Sequence, residues 1–287
     1  MVKLLLLQLR PKQWTKNLLV FAAYVFSVDR VGTGAFWRAA LAFLLFSLVS
    51  GCVYILNDFV DLEADRQHPE KRHRPMASGR LSPAVALAFG AVALLVSLAA
   101  AFRLSAGFGW ILVGYFALNL GYSFFLKHLV IVDIMAIAAG FVLRALGGSA
   151  VIDVAITPWF LLCVFLLSLL LATGKRRHEV LLLKHQKGLH RKVLDQYSVE
   201  FLDQIAGILT TGAILAYSMF TFLSGRTPHL MWTIPLVIYG MFRYLYLVHV
   251  LGQGGKPEDL LFQDRSLLAA VLLYGVAVVV ILKWFPS

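Results

Sequence analysis

The sequence predicts an all-α, multi-pass membrane protein. Of its 287 residues, 60% are hydrophobic and only 14% are charged. Mean hydropathy is +0.80. The apolar residues fall in runs close to the ~20 that a helix needs to cross the hydrocarbon layer. Backbone facing lipid must satisfy its own hydrogen bonds, so these runs are expected to be helices.

Nine transmembrane helices are predicted, over residues 15–28, 37–57, 81–102, 106–126, 129–150, 158–174, 202–223, 231–250 and 266–284. The first is short, and its entry is compatible with a helix lying at the interface. Leu4 to Leu9 is apolar but too brief for a cleaved signal peptide, and Arg10-Pro11-Lys12 interrupts it. Ser82-Pro83 and Thr157-Pro158 pair a capping residue with a proline at the first helical position, marking the third and sixth spans. Pro69, Pro75 and Gly79 break the chain after the second span, and Gly252, Gly254, Gly255 and Pro257 after the eighth. The spans leave no room for a soluble unit, so residues 1–287 read as a single integral membrane domain.

Charge placement orients the chain. With the N-terminus inside, only Arg30, Arg38, Arg103, Arg226 and Lys283 of the 26 Lys and Arg face outward, and Arg144 and Arg243 lie within spans. The rest fall on the cytoplasmic side, which sets the topology as N-in, C-out. The net charge of +11 matches anionic headgroups of membrane lipids and anionic substrates. The loops lack the interleaved aromatic and basic residues of a base-stacking surface, so no nucleic acid partner is expected. Cys52 and Cys163 sit in different spans without metal-ligand spacing and read as packing residues.

The chemistry concentrates after the second span. Asn57-Asp58-Phe59-Val60-Asp61-Leu62-Glu63-Ala64-Asp65 spaces Asp58, Asp61 and Asp65 at i, i+3 and i+7, which on a continuous helix places them on one face. Like charges so placed repel one another unless a cation sits among them. Mg²⁺ takes carboxylate and phosphate oxygens together, so this is a candidate metal site and catalytic centre. Arg72 and Arg74 follow closely, with guanidinium forks suited to phosphate. The sixth span ends in a second polar segment, Gly174 to Tyr197, expected to face the same cavity. Of the charges inside spans, Arg144 is a candidate for the lipid phosphate or a structural partner, Asp133 lies about on its face, and Arg243 is expected to snorkel or pair internally. His68, His73, His178 and His185 read as solvated.

The motifs Asn-Asp-x-x-Asp-x-x-x-Asp and Arg-x-Arg-Pro-x-x-x-Gly, set among nine spans, resemble the UbiA superfamily of intramembrane prenyltransferases over essentially the whole chain. The resemblance implies helices around a central cavity, a lateral opening for a polyprenyl chain, Mg²⁺ bridging the Asp motif and a diphosphate, and substrate contacts from the segment Tyr122 to Lys127. Most members carry a second Asp-x-x-x-Asp pair after the sixth span. Here that segment is Gly174-Lys175-Arg176-Arg177-His178-Glu179, with Lys175 in place of the first acid and Glu179 at the second. This segment, Arg10-Pro11-Lys12-Gln13-Trp14-Thr15-Lys16-Asn17, Gly255-Lys256-Pro257-Glu258 and Asp264-Arg265 are similar to one branch, the decaprenyl-phosphate phosphoribosyltransferases.

The branch implies a bacterial plasma-membrane enzyme of cell-envelope biosynthesis with its active site facing the cytoplasm. It transfers 5-phosphoribose from 5-phosphoribosyl-1-pyrophosphate to a polyprenyl phosphate and releases pyrophosphate. Asp58, Asp61 and Asp65 would hold Mg²⁺. Lys16, Asn17, Asn57, Arg72, Arg74, Tyr122, Lys127, Arg144, Lys175, Arg176 and Glu179 would contact substrates. The alternative within the superfamily joins a prenyl diphosphate to an aromatic ring or porphyrin, and the lost second acid pair argues against it. A transporter or lipid-binding protein is disfavoured by the scarcity of intramembrane charge. The sequence specifies no oligomeric state, and a homo-oligomer is compatible with it.

Overall fold

The computed structural model describes residues 1–67, 71–183, 192–255 and 257–285, and among these every regular element is helical. His68, Pro69, His185 and Lys256, named above, lie outside them. The elements are α1 (Val2–Gln8), α2 (Ala22–Val25), α3 (Thr33–Val60), α4 (Leu62–Gln67), α5 (Pro83–Leu104), α6 (Ala106–Phe124), α7 (Val132–Ile152), α8 (Pro158–Leu183), α9 (Val199–Leu223), α10 (Ile234–His249), α11 (Pro257–Gln263) and α12 (Arg265–Trp284). Seven stretches, containing α3, α5, α7, α8, α9, α10 and α12, are long and apolar enough to cross a membrane. Helix α6, with 19 residues, carries Tyr115, Asn119 and Tyr122 and is not among the seven.

The expected first span is not a continuous α-helix. Arg10 adopts a left-handed conformation (φ 51°), Pro11–Phe21 is a 3-10 helix, and α2 adds a single α-helical turn. Such a run is unusually long for 3-10 geometry, whose ~2.0 Å rise stretches it over about 22 Å. Tertiary hydrogen bonds hold it in place. The buried Asn17 side chain donates to Ser47 Oγ (3.0 Å) and Ser50 Oγ (3.1 Å) and accepts from Arg144 Nε (2.7 Å).

Two apolar clusters organise the bundle. Val20, Phe46, Val49, Phe108, Leu112 and Val151 join the N-terminal segment to α3, α6 and α7. Ala138, Leu170, Ala206, Leu209 and Met241 join α7, α8, α9 and α10. Helix α7 belongs to both. Its Gly147-Gly148 pair makes this possible, because a Cβ on Gly148 would run into the backbone carbonyl of Val20. Small residues admit such close backbone approach between membrane helices. Because successive helices run up and down, the C-terminal ends of α3, α6 and α8 meet the N-terminal end of α7 at one end of the bundle.

Candidate active site

The acidic motif is built differently from the expected single helical face. Helix α3 stops at Val60, Asp61 leaves helical geometry (φ −92°, ψ 11°), and α4 restarts at Leu62. Asp58 and Asp65 still converge on one arginine nitrogen, while Asp61 meets a different partner. Asp58 is buried and accepts from Gln8 Nε2 (2.5 Å), Arg10 and Arg74 Nη1 (3.0 Å). Asp65, also buried, accepts from the same Arg74 nitrogen and lies 3.9 Å from Lys71 Nζ. Asp61 keeps 42% of its side chain exposed and meets Lys127 Nζ at 3.4 Å. The Asn57 amide oxygen accepts from Ser123 Oγ. Among the described residues, no group of three or more His, Cys, Asp or Glu is placed to hold a metal ion unaided.

Helix α8 supplies the facing wall. Arg176 lines the cavity with its guanidinium taken up by neighbouring side chains. It is 1% exposed and donates to Asp133 Oδ2 (2.6 Å), to Glu179 Oε2 and to Tyr122 Oη (3.1 Å). Asp133, fully buried, also accepts from Tyr197 Oη (2.6 Å). Burial, and next the hydrogen bond to Asp133, push the Tyr197 hydroxyl well above the usual tyrosine range. That hydroxyl accepts from the amide of Ile131 (2.7 Å). Ile131 has φ 69°, a strained conformation for a β-branched residue. Asp133 and Arg144 share α7 but do not pair with each other.

Deeper in the bundle, Arg144 donates to Asn17, to Gly140 O (2.7 Å) and to Tyr115 Oη (2.8 Å), with the rings of Phe46, Tyr115 and Phe141 around it. Arg243 pairs with Asp264 (2.7 Å), as an internally paired charge should.

These walls enclose a cavity of about 1260 Å³. Of the residues singled out in the sequence, Lys16, Asn57, Asp58, Asp61, Arg74, Tyr122, Arg144, Lys175, Arg176 and Glu179 line it. Asn17, Asp65, Arg72 and Lys127 do not. Asn17 and Asp65 lie behind the wall, Lys127 reaches Asp61 from the side, and Arg72 is exposed at the surface. The remaining lining is largely apolar, from residues such as Phe160, Leu167, Leu171, Val237, Met241 and Tyr274.

Several further residues build these walls. Arg10 stands in the quoted N-terminal motif and Tyr197 closes the second polar segment, whereas Gln8, Tyr115 and Asn119 carry no local signal. Gln8 is buried, and its Oε1 has no partner among the described residues although its amide nitrogen touches Asp58.

Comparison with known proteins places the chain in a class. Residues 18–263 match the UbiA prenyltransferase family. The chain is 32% identical over 282 residues to the decaprenyl-phosphate phosphoribosyltransferase of Mycobacterium tuberculosis (strain ATCC 25618 / H37Rv), covering 94% of this chain and 92% of that one. It is 33% identical over 294 residues to the Corynebacterium glutamicum protein of the same name, covering 97% and 86%. In fold it resembles a UbiA homolog from Archaeoglobus fulgidus solved with GPP and Mg²⁺ (TM-score 0.74, 19% identity, 96% and 99% covered). The same homolog with DMAPP and Mg²⁺ gives a TM-score of 0.72 at 19% identity, again covering 96% and 99%. The chain belongs to the UbiA prenyltransferase family. It is therefore an enzyme of that family and a bacterial integral membrane protein.

Proposed function

We propose that the protein transfers 5-phosphoribose from 5-phosphoribosyl-1-pyrophosphate to a polyprenyl phosphate at the cytoplasmic face of the bacterial plasma membrane. The observation that carries this reading is the asymmetry of the cavity. Asn57, Asp58 and Asp61 stand on one wall, while Lys175 and Glu179 occupy the α8 wall and an apolar chamber lies among the helices. A prenyl diphosphate held between two acid pairs needs metal on both sides. A donor with phosphates at both ends suits an acidic motif on one wall and, on the other, a lysine where the first acid of a second pair would stand. The relatives' names agree with this choice.

The donor set on the acidic wall fits Mg²⁺. Asp61 offers a hard carboxylate oxygen at the cavity, Asp58 beside it has its oxygens engaged by Gln8, Arg10 and Arg74, and the buried Gln8 Oε1 next to Asp58 has no partner among the described residues. Mg²⁺ uses only one or two carboxylates and completes its shell with water and phosphate oxygens, so an all-protein cage is not required. Bound there, the ion would neutralise departing pyrophosphate.

The chain's own residues do the rest. Arg74, anchored by the buried Asp65, is fixed at the cavity wall. Lys16 and Lys175 bring positive charge to the donor phosphates. The apolar chamber takes the isoprenoid chain. The lipid phosphate is already anionic at neutral pH, so no strong general base is needed. One of its oxygens forms the new bond to C1 of the ribose as the C1–O bond to pyrophosphate breaks.

The test is a membrane fraction containing the full chain, incubated with radiolabelled 5-phosphoribosyl-1-pyrophosphate, decaprenyl phosphate and Mg²⁺. A chloroform-soluble labelled lipid is expected from the native protein and none from Asp61→Ala, which should still insert. Native-like activity in Asp61→Ala would refute the metal assignment. The fold neighbour solved with GPP and Mg²⁺ favours a second reading, prenyl transfer to an aromatic acceptor. Product formed only from a prenyl diphosphate and such an acceptor would establish it instead.

A further inference from the structure

The α8 wall sets a carboxylate, Glu179, beside Lys175, and Arg176 balances one of its oxygens. Glu179 lines the cavity one helical turn beyond Lys175, with 28% of its side chain open. Arg176 binds Oε2 and is itself fixed by Asp133 and Tyr122. The clamp uses one carboxylate oxygen and holds the side chain at the wall. The other oxygen is not committed to that ion pair. An ionised carboxylate is acceptor-only, so its natural ligands are hydroxyl groups or a cation. A prenyl diphosphate has no hydroxyl to offer, whereas a pentose has two adjacent ones.

We infer that Glu179 is the specificity-determining residue for the sugar of the donor, accepting hydrogen bonds from the ribose hydroxyls while Arg176, Asp133 and Tyr122 hold it in position. The inference rests on the phosphoribosyl reading above. Hydroxyl–carboxylate bonds are charge-assisted and shorter than neutral ones. A site built to receive a hydroxyl discriminates strongly against an analogue lacking it, because the partner group is left unpaired.

The experiment compares kcat/KM for 5-phosphoribosyl-1-pyrophosphate and for its 2-deoxyribose analogue, with decaprenyl phosphate as acceptor, in native, Glu179→Gln and Glu179→Ala proteins. The ratio for the two donors in the native enzyme is the reference, because it absorbs the intrinsically faster ionisation of a 2-deoxy C1. Relative to it, the preference for the ribosyl donor should fall about threefold in Glu179→Gln, whose amide oxygen still accepts without charge, and about 10-fold or more in Glu179→Ala. Because the readout is a ratio within each variant, a general loss of folding or metal binding cancels. An unchanged ratio in Glu179→Ala would overturn the role of Glu179 and leave the phosphoribosyl reading standing. A native enzyme that uses neither donor but prenylates an aromatic acceptor would overturn both.

Discussion

Replacing Asp133 by alanine removes the centre of the most deeply buried charged network in the site. Asp133 is 0% and Arg176 1% exposed, and two bonds of 2.6 Å converge on the Asp133 carboxylate, from Arg176 and from Tyr197. Without it, Arg176 keeps only the half-buried Glu179 as a counter-ion. Removing one partner of a buried ion pair destabilises by about 3–5 kcal/mol. At about 2–4 °C of melting temperature per kcal/mol for chains of this order of size, the melting point should fall by about 6–20 °C. The measurement is thermal unfolding of the purified protein in detergent, followed by tryptophan fluorescence. Asp133→Asn keeps an acceptor and should lose about 1.5–3 kcal/mol. Asp133→Leu combined with Arg176→Met removes both charges together and should melt above Asp133→Ala. A melting point for Asp133→Ala within about 2 °C of native, or a double variant no better than the single one, would refute the view that this pair braces the α8 wall.

Three further outcomes are expected. Mg²⁺ and 5-phosphoribosyl-1-pyrophosphate together, at about 100 times the dissociation constant, should stabilise the native protein by about 2.7 kcal/mol, an effect absent after chelation with EDTA and in Asp61→Ala when melting is monitored. Gly148→Ala forces a methyl group into the Val20 carbonyl and should cost about 3 kcal/mol or more, read as lost accumulation in membranes and a lowered melting point. Asp264 caps α12 through the Leu267 amide (2.7 Å) and pairs with Arg243, and that hydrogen-bonded guanidinium holds its carboxyl below the usual range. Asp264→Ala should lose about 0.5–2 kcal/mol. The native contribution is present above the unfolded carboxyl value of about 3.9 and disappears as pH falls through the lower folded value, so melting curves of native and variant should converge only in strong acid.

Seven of the nine expected spans are legible in the sequence because an apolar run is a local signal, and Asn57, Asp58 and Asp61 are legible as a group at the cavity wall because their spacing is local too. What escaped is set by distance along the chain. Arg74 reaches back 16 residues to Asp58, and Arg176 finds Asp133 across 43. A periodic reading treats both arginines as available to phosphate, when one is shared between two carboxylates and the other is enclosed. The helix stop at Asp61 was hidden for a related reason. Phe59-Val60-Asp61-Leu62 contains no glycine or proline, so nothing in the local residues announces that α3 ends there. The 3-10 course of Pro11–Phe21 likewise depends on Ser47, Ser50 and Arg144, none of them a neighbour in sequence.

The seating of that N-terminal segment bears on how the protein is made. Asn17 leaves the ribosome early, yet its partner Arg144 follows 127 residues later, and Val20 packs against Gly148. The contacts of Asn17 and Val20 with α7 therefore cannot form until that helix has been translated and inserted. Seating of this N-terminal segment is thus coupled to the insertion of α7, and the cavity that Lys16 and Arg144 both line cannot be complete before that helix is in place.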